Sequence, residues 1–206
     1  RSTLFMIYYQ ALALENYDND VILASKEVQA MRTGREWPQN WNLELFDLRK
    51  YLPKFYDWIE HKFRSRMAVT RFFVTMANST TVIHEDKGYC TSLNIPVINC
   101  DNNSNRWYSM VPGSKPDDAE MKMDETDEFA SNNGGAYLFK QGQVIGLKEQ
   151  CTLSRPYLFC TNVPHNTVTK DLTNPDFPRI VLSVRTENMR RSKGLTIEQM
   201  TKEFEL

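Results

Sequence analysis

The chain has 206 residues, of which 41% are hydrophobic and 25% charged, ordinary proportions for a folded globular protein. That length buries a core without disulfide or metal staples, and no composition shift marks a linker between two domains. Lys plus Arg number 25 and Asp plus Glu 26, a net charge of −1, so no global basic excess argues for nucleic acid or an anionic membrane.

The chain opens at Arg1 rather than Met, as a fragment or a trimmed start would. The apolar run LFMIYYQALAL (4–14) is interrupted by Gln10 and too short to span a bilayer. A packed N-terminal strand or helix is expected there rather than a signal peptide. Residues 15–37 carry Val21, Ile22, Ala24, Val28 and Met31 at three- and four-residue steps, which predicts a helix closed by Gly34 and Pro38. A second helix is predicted over 45–63, with Pro53 as its start or a kink. His61 falls on that helix among charges and reads as solvated.

From residue 67 the period changes. About eight short runs rich in β-branched and aromatic residues follow, separated by turn clusters such as DNNSN, PGSKPDD and SNNGG. Strands without interleaved helices favour a sandwich or a double-sheet jelly roll over a parallel α/β sheet. Thr196 and Gln199 form a Thr-x-x-Gln capping box that starts a closing helix. Between 117 and 128 stand seven acidic residues and one lysine, expected as a solvated loop between strands; as a selector they would suit a basic partner. Cys90, Cys100, Cys151 and Cys160 form no C-x-x-C pair and read as reduced, packed thiols, hence a cytoplasmic protein.

Two histidines stand beside strands. In VIHED, His84 and Asp86 are at i and i+2, so a regular strand puts them on one face and Glu85 on the other. His165 follows Pro164 at the start of a strand-like run, and PRIVLSVR begins thirteen residues later. Alternation there places Arg179, Val181, Ser183 and Arg185 on one face and Ile180, Leu182 and Val184 on the other. Two arginines in line on a sheet face call for an anionic neighbour, and a guanidinium fork suits a buried carboxylate. Two imidazoles and a carboxylate can occupy one face of a six-coordinate ion and leave positions open. The competing reading is a polar turn at His84 and an unrelated core histidine at His165.

The order His84-x-Asp86, then His165, then Arg179 resembles that of the Fe(II)/2-oxoglutarate-dependent dioxygenase superfamily. The resemblance covers roughly 68–187. It includes an LNIP run, an Asn-Cys-Asp-Asn turn ahead of Trp107-Tyr108, and Val163-Pro164 before the histidine, as in small viral and environmental members. It implies a mainly β fold: a double-stranded β-helix (jelly-roll, cupin-like) at 67–187, mainly helical support at 1–66 and a C-terminal helix at 188–206, together one domain. It implies His84, Asp86 and His165 as catalytic ligands of Fe(II), with 2-oxoglutarate and O₂ as cosubstrates and hydroxylation of a C–H bond releasing succinate and CO₂. Arg179, with Ser183, is expected to hold the 5-carboxylate of 2-oxoglutarate. For Arg185 the readings are support of the metal-bound end, a pair with Asp86, or a surface ion pair. Asn94 is expected to donate to the cosubstrate or to mark a strand bulge; Trp107 and Tyr108 line the pocket or pack the sheet, packing being the default. The substrate is expected to be a small molecule or a protein side chain, with nucleic acid less favoured by the balanced charge. From another class, a non-catalytic jelly-roll binding protein remains the alternative.

Overall fold

Alternation between apolar and polar side chains builds this molecule from residue 67 onward. The computed structural model describes residues 6–13, 17–32, 42–45, 47–120, 135–190 and 194–206. Among them, β1 (Tyr9–Ala11) precedes α1 (Tyr17–Arg32), β2 (Asn42–Leu45), α2 (Leu48–Tyr51) and α3 (Pro53–Phe63). The β-rich part follows with β3 (Met67–Thr75), β4 (Ser79–Thr80), β5 (His84–Asp86), β6 (Thr91–Ile98), β7 (Asn103–Met110) and β8 (Asp117–Glu120). Then come β9 (Gly135–Leu138), β10 (Val144–Cys151), β11 (Tyr157–Cys160), β12 (His165–Thr169), β13 (Arg179–Thr186) and α4 (Ile197–Phe204).

The strands form two antiparallel sheets. The first runs β1-β11-β6-β13-β3-β2; the second runs β10-β7-β12-β5-β9-β8, with β4 beside β12. From β3 onward the chain keeps crossing between them: β4 and β5 lie in the second sheet, β6 in the first, β7 to β10 in the second, β11 in the first, β12 in the second and β13 in the first. Trp107 of the second sheet packs against Phe159 and Val181 of the first, so the inner faces meet.

The outer face of the first sheet carries the larger core. Phe72, Val74, Leu93, Ile95, Ile180, Leu182 and Val184 pack there against Ala24, Val28, Phe55, Ile59, Phe63, Met200 and Phe204 of the helices. Burying this apolar surface is the main favourable term in folding, at about 25 cal/mol per Å². β13 therefore divides as its sequence predicts, with Ile180, Leu182 and Val184 toward the helices and Arg179, Val181 and Arg185 toward the cavity between the sheets. Pro96, which has no N–H, lies at a register shift between β6 and β13.

Some expectations need adjusting. The helix expected over 45–63 is preceded by the strand β2 and breaks into α2 and α3 at Leu52, with Pro53 as the first residue of α3. Ile22 does not join the core; it is 53% exposed, because the buried stripe of α1 runs through Ala24 and Val28. The first four residues of the acidic segment form β8, where Asp117 pairs with Lys140 at 2.9 Å, while 121–128 lie outside the described residues. The capping box of α4 forms as expected, with Gln199 N–H donating to Thr196 Oγ1 at 3.3 Å and Thr196 N–H donating to Gln199 Oε1 at 2.8 Å. All four cysteines are free thiols, and His61 is exposed. Among the described residues, no helix is long and apolar enough to cross a membrane.

Leu182 is 1% exposed at the centre of the helix-facing core. Leu182→Ala is expected to lower the unfolding free energy by about 2–5 kcal/mol in urea denaturation. A loss well below about 1 kcal/mol would contradict this account of the core.

Candidate metal centre

β5, β12 and β7 place three side chains in a lateral row. His84 is the register partner of His165, and His165 is the partner of Trp107. All three line a cavity of about 60 Å³ between the sheets, room for several water molecules. Asp86 joins them from β5, two residues on and on the same face. Glu85 is buried but does not line the cavity, as strand alternation requires.

Each imidazole is fixed by the same local device. His84 Nδ1 lies 2.9 Å from the carbonyl of Val82, and His165 Nδ1 lies 2.8 Å from that of Val163. A carbonyl only accepts, so both Nδ1 atoms carry the proton, and both Nε2 lone pairs are left for a metal. The rings sit 4.3 Å apart, centroid to centroid. Burial, followed by the neighbouring His165, depresses the pKa of His84 to about 4, and burial depresses that of His165 as well. Both are therefore neutral near pH 7, the form that ligates.

Asp86 is ionised. Burial alone would raise its pKa, but Arg185, His165, His84 and Arg71 together hold it below the usual carboxylate value. Arg185 Nη2 donates to Asp86 Oδ2, while Oδ1 faces His84 Nε2 at 3.7 Å. Among the described residues, His84, Asp86 and His165 are the cluster able to hold a metal, with ligand atoms within 4.8 Å of one another. Bonds of about 2.1 Å to a six-coordinate ion put neighbouring ligand atoms about 3 Å apart, so small side-chain rotations close the triangle.

Arg185 is no surface residue. It is buried, bonded to Asp86, and stacked over the ring of Tyr89 at 4.9 Å. Arg179 stands six positions earlier on the same face, 3% exposed, and also lines the cavity. Its Nε has no hydrogen-bond partner, and among the described residues no carboxylate pairs with it. The acids in its electrostatic surroundings are the thiols of Cys100 and Cys151, whose pKa values burial raises, that of Cys151 to about 12. At neutral pH they carry no charge, so Arg179 is a buried guanidinium with no anionic partner among the described residues.

The remaining predicted residues divide. Asn94 lines the cavity, with its amide nitrogen 2.7 Å from Ser92 Oγ and 3.3 Å from the Ser92 carbonyl. Ser183 is buried with its Oγ unpartnered but is not among the cavity-lining residues, so Arg179 faces the cavity without it. Trp107 both packs and lines the cavity, and its Nε1 donates to the carbonyl of Cys160 at 2.9 Å. Tyr108 points to the other face and donates to Asn166 Oδ1 at 3.1 Å. Sequence reasoning did not single out Arg71, which is fully buried and lies within electrostatic range of Arg185 and Asp86. The signal was present, since Arg71, Phe73 and Thr75 alternate along β3, but only strand pairing shows that this face meets Ser183, Val181 and Arg179.

No protein-family model matches the chain, and no curated protein matches its sequence. Among solved structures it is similar to AviO1 from Streptomyces viridochromogenes Tue57, with 11% identity over 90% of this chain and 92% of that one and a TM-score of 0.44. It is also similar to the L-ribose isomerase of Cellulomonas parahominis solved with L-psicose, at 12% identity over 85% and 84% of the two chains and a TM-score of 0.35. The hydroquinone 1,2-dioxygenase PnpCD, solved with Cd²⁺ and 4-hydroxybenzonitrile, matches 58% of this chain and 57% of that one at 12% identity, with a TM-score of 0.25. At these scores the likenesses carry no argument, and the site stands on its own geometry.

The depressed histidines make metal-free protein acid-sensitive. Between the unfolded value of 6.5 and the folded value of about 4, the unfolded chain takes up a proton at His84 that the folded chain does not. Stability therefore falls as pH drops through that window, by about 3 kcal/mol for His84. Urea unfolding of chelator-treated protein is expected to show a lower midpoint at pH 5 than at pH 7, with the difference reduced in His84→Gln. Equal midpoints at the two pH values would contradict it.

Proposed function

We propose that the chain is an Fe(II)- and 2-oxoglutarate-dependent oxygenase on a double-stranded β-helix, hydroxylating a C–H bond of a small molecule or protein side chain. Support for the fold reading is the pairing orders β11-β6-β13-β3 and β10-β7-β12-β5, whose members alternate between facing sheets along the chain except at β7 and β10, which follow one another in the second. The observation that carries the activity reading is one cavity with two chemically distinct walls: two neutral imidazoles and an ionised carboxylate on one, and a carboxylate-free buried guanidinium on another.

The donor set fits the metal. Two nitrogens and one oxygen on one face suit Fe(II) and leave positions for a chelating cosubstrate and O₂. Bound there, iron with 2-oxoglutarate and O₂ would supply the oxidising power for C–H hydroxylation, with succinate and CO₂ as co-products. His84, Asp86 and His165 would hold the ion. Arg179 would hold the distal carboxylate of 2-oxoglutarate, with its fork matching a carboxylate in two parallel bonds. Arg185 positions Asp86 by bonding Oδ2, which leaves Oδ1 toward the imidazoles. Phe73, Trp107, Phe159 and Val181 keep water from the walls, which strengthens the Arg179 interaction by lowering the local dielectric.

Anaerobic titration with Fe(II) and 2-oxoglutarate tests this reading. The chelate's weak visible charge-transfer band is expected in the parent and absent in His84→Ala. In Arg179→Ala, the band is expected to need roughly 10- to 100-fold more 2-oxoglutarate, the equivalent of one charge-assisted pair. A folded, metal-loaded parent that shows no band would instead be a metal-binding protein without this chemistry.

A further inference from the structure

Trp107 touches two environments at once. Its indole lines the metal cavity as the cross-strand neighbour of His165, so their side chains stand on one face of adjacent strands. Away from the cavity it meets the N-terminal strand. Tyr9 stacks on it with centroids 5.6 Å apart at 23°, and Tyr8 lies 6.1 Å away. Tyr9 in turn meets Tyr157 edge-on at 5.8 Å. Trp107 is 1% exposed, whereas Tyr8, Tyr9 and Tyr157 are half-buried and reach solvent. The series thus runs without a gap from the wall beside a metal ligand to the surface.

Ring packing alone does not require this chemistry. Phenylalanine fills the same space and packs on an indole equally well, as Phe159 does edge-to-face against Trp107 at 5.2 Å and 86°. Indole and phenol add an accessible electron, and a phenol at the surface can also release its proton to water.

We propose that Trp107, Tyr9 and Tyr8 form a redox relay that carries oxidising equivalents from the cavity to the protein surface when O₂ is consumed without substrate. This rests on the oxygenase reading above. Trp107 gives one electron to the oxidised iron site. A tyrosine phenol then reduces the indole radical and loses its proton to solvent, and a thiol- or ascorbate-class reductant restores the tyrosine. Two such transfers with two protons complete the turnover of 2-oxoglutarate and O₂ to succinate, CO₂ and water. Where the relay is cut, one oxygen atom of O₂ enters a C–H bond of the Trp107 ring instead, and 2-oxoglutarate supplies the remaining electrons as it becomes succinate and CO₂.

The test exposes the protein to Fe(II), 2-oxoglutarate and O₂ with no further substrate, for the parent and for the Tyr8→Phe/Tyr9→Phe variant. Succinate is assayed, freeze-quenched samples are examined by electron paramagnetic resonance, and tryptic peptides are mapped by mass. The parent is expected to form succinate and a tyrosyl signal. The variant, which keeps both rings and so the packing, is expected to form succinate, lose that signal, and show severalfold more oxygen insertion at Trp107. Succinate without a tyrosyl signal in the parent, or an unchanged oxidation map in the variant, overturns the relay and leaves the oxygenase reading intact. No succinate from the parent also overturns the relay, and the charge-transfer band of the anaerobic titration then decides separately whether the oxygenase reading stands.

Discussion

The pair between Asp86 and Arg185 joins the two sheets at the site, one partner coming from β5 and the other from β13. Removing two charges from water costs several kcal/mol per ion, and their attraction repays this only when geometry and further bonds are good. As a stabilising device such a pair is a poor choice compared with apolar packing, which the outer face of the same sheet uses throughout. Its effect on Asp86 is different. It keeps a fully enclosed carboxylate ionised and turns one oxygen toward two neutral imidazoles. Arg185 is itself confined by the ring of Tyr89, so the carboxylate is held from behind by a side chain with little freedom.

The rest of the cavity repeats this logic of opposed environments. His84 and His165 use one hydrogen-bond pattern, each to the carbonyl two residues before, and so present like tautomers to a common centre. Arg179 is the counterpart to that centre. Its charge is buried between the sheets beside thiols that stay protonated, an arrangement whose cost the rest of the fold must offset. β13 makes both ends of the arrangement possible by keeping its hydrophobic residues for the helices and its cations for the cavity.

Local chemistry told much of this in advance. The two-residue alternation of PRIVLSVR gave the correct faces of β13, and His84-x-Asp86 gave a correct shared face on β5. The Thr196–Gln199 cap was also readable, because a capping box is a contact between residues three apart. What stayed hidden depends on contacts between distant segments. Arg71 faces the site only because β3 pairs with β13, and Tyr9 reaches Trp107 only because β1 adds to the edge of the first sheet beside β11. Ser183 shares the right face yet is not a lining residue although Val181 and Arg185 on either side of it are, because its side chain is short and it pairs across the strand with the long, buried Arg71. Ile22 fell outside the core because apolar spacing in α1 admits more than one stripe, and the sheet selects one of them.

The central claim is spatial: one cavity binds a metal at one wall and a carboxylate at the other. An anaerobic crystal structure of the protein with Mn(II) and 2-oxoglutarate measures it directly. The account predicts the ion on Nε2 of His84, Nε2 of His165 and a carboxylate oxygen of Asp86, with the distal carboxylate of 2-oxoglutarate on Arg179. An ion bound away from these three residues, or a distal carboxylate that leaves Arg179 without a partner, would contradict it.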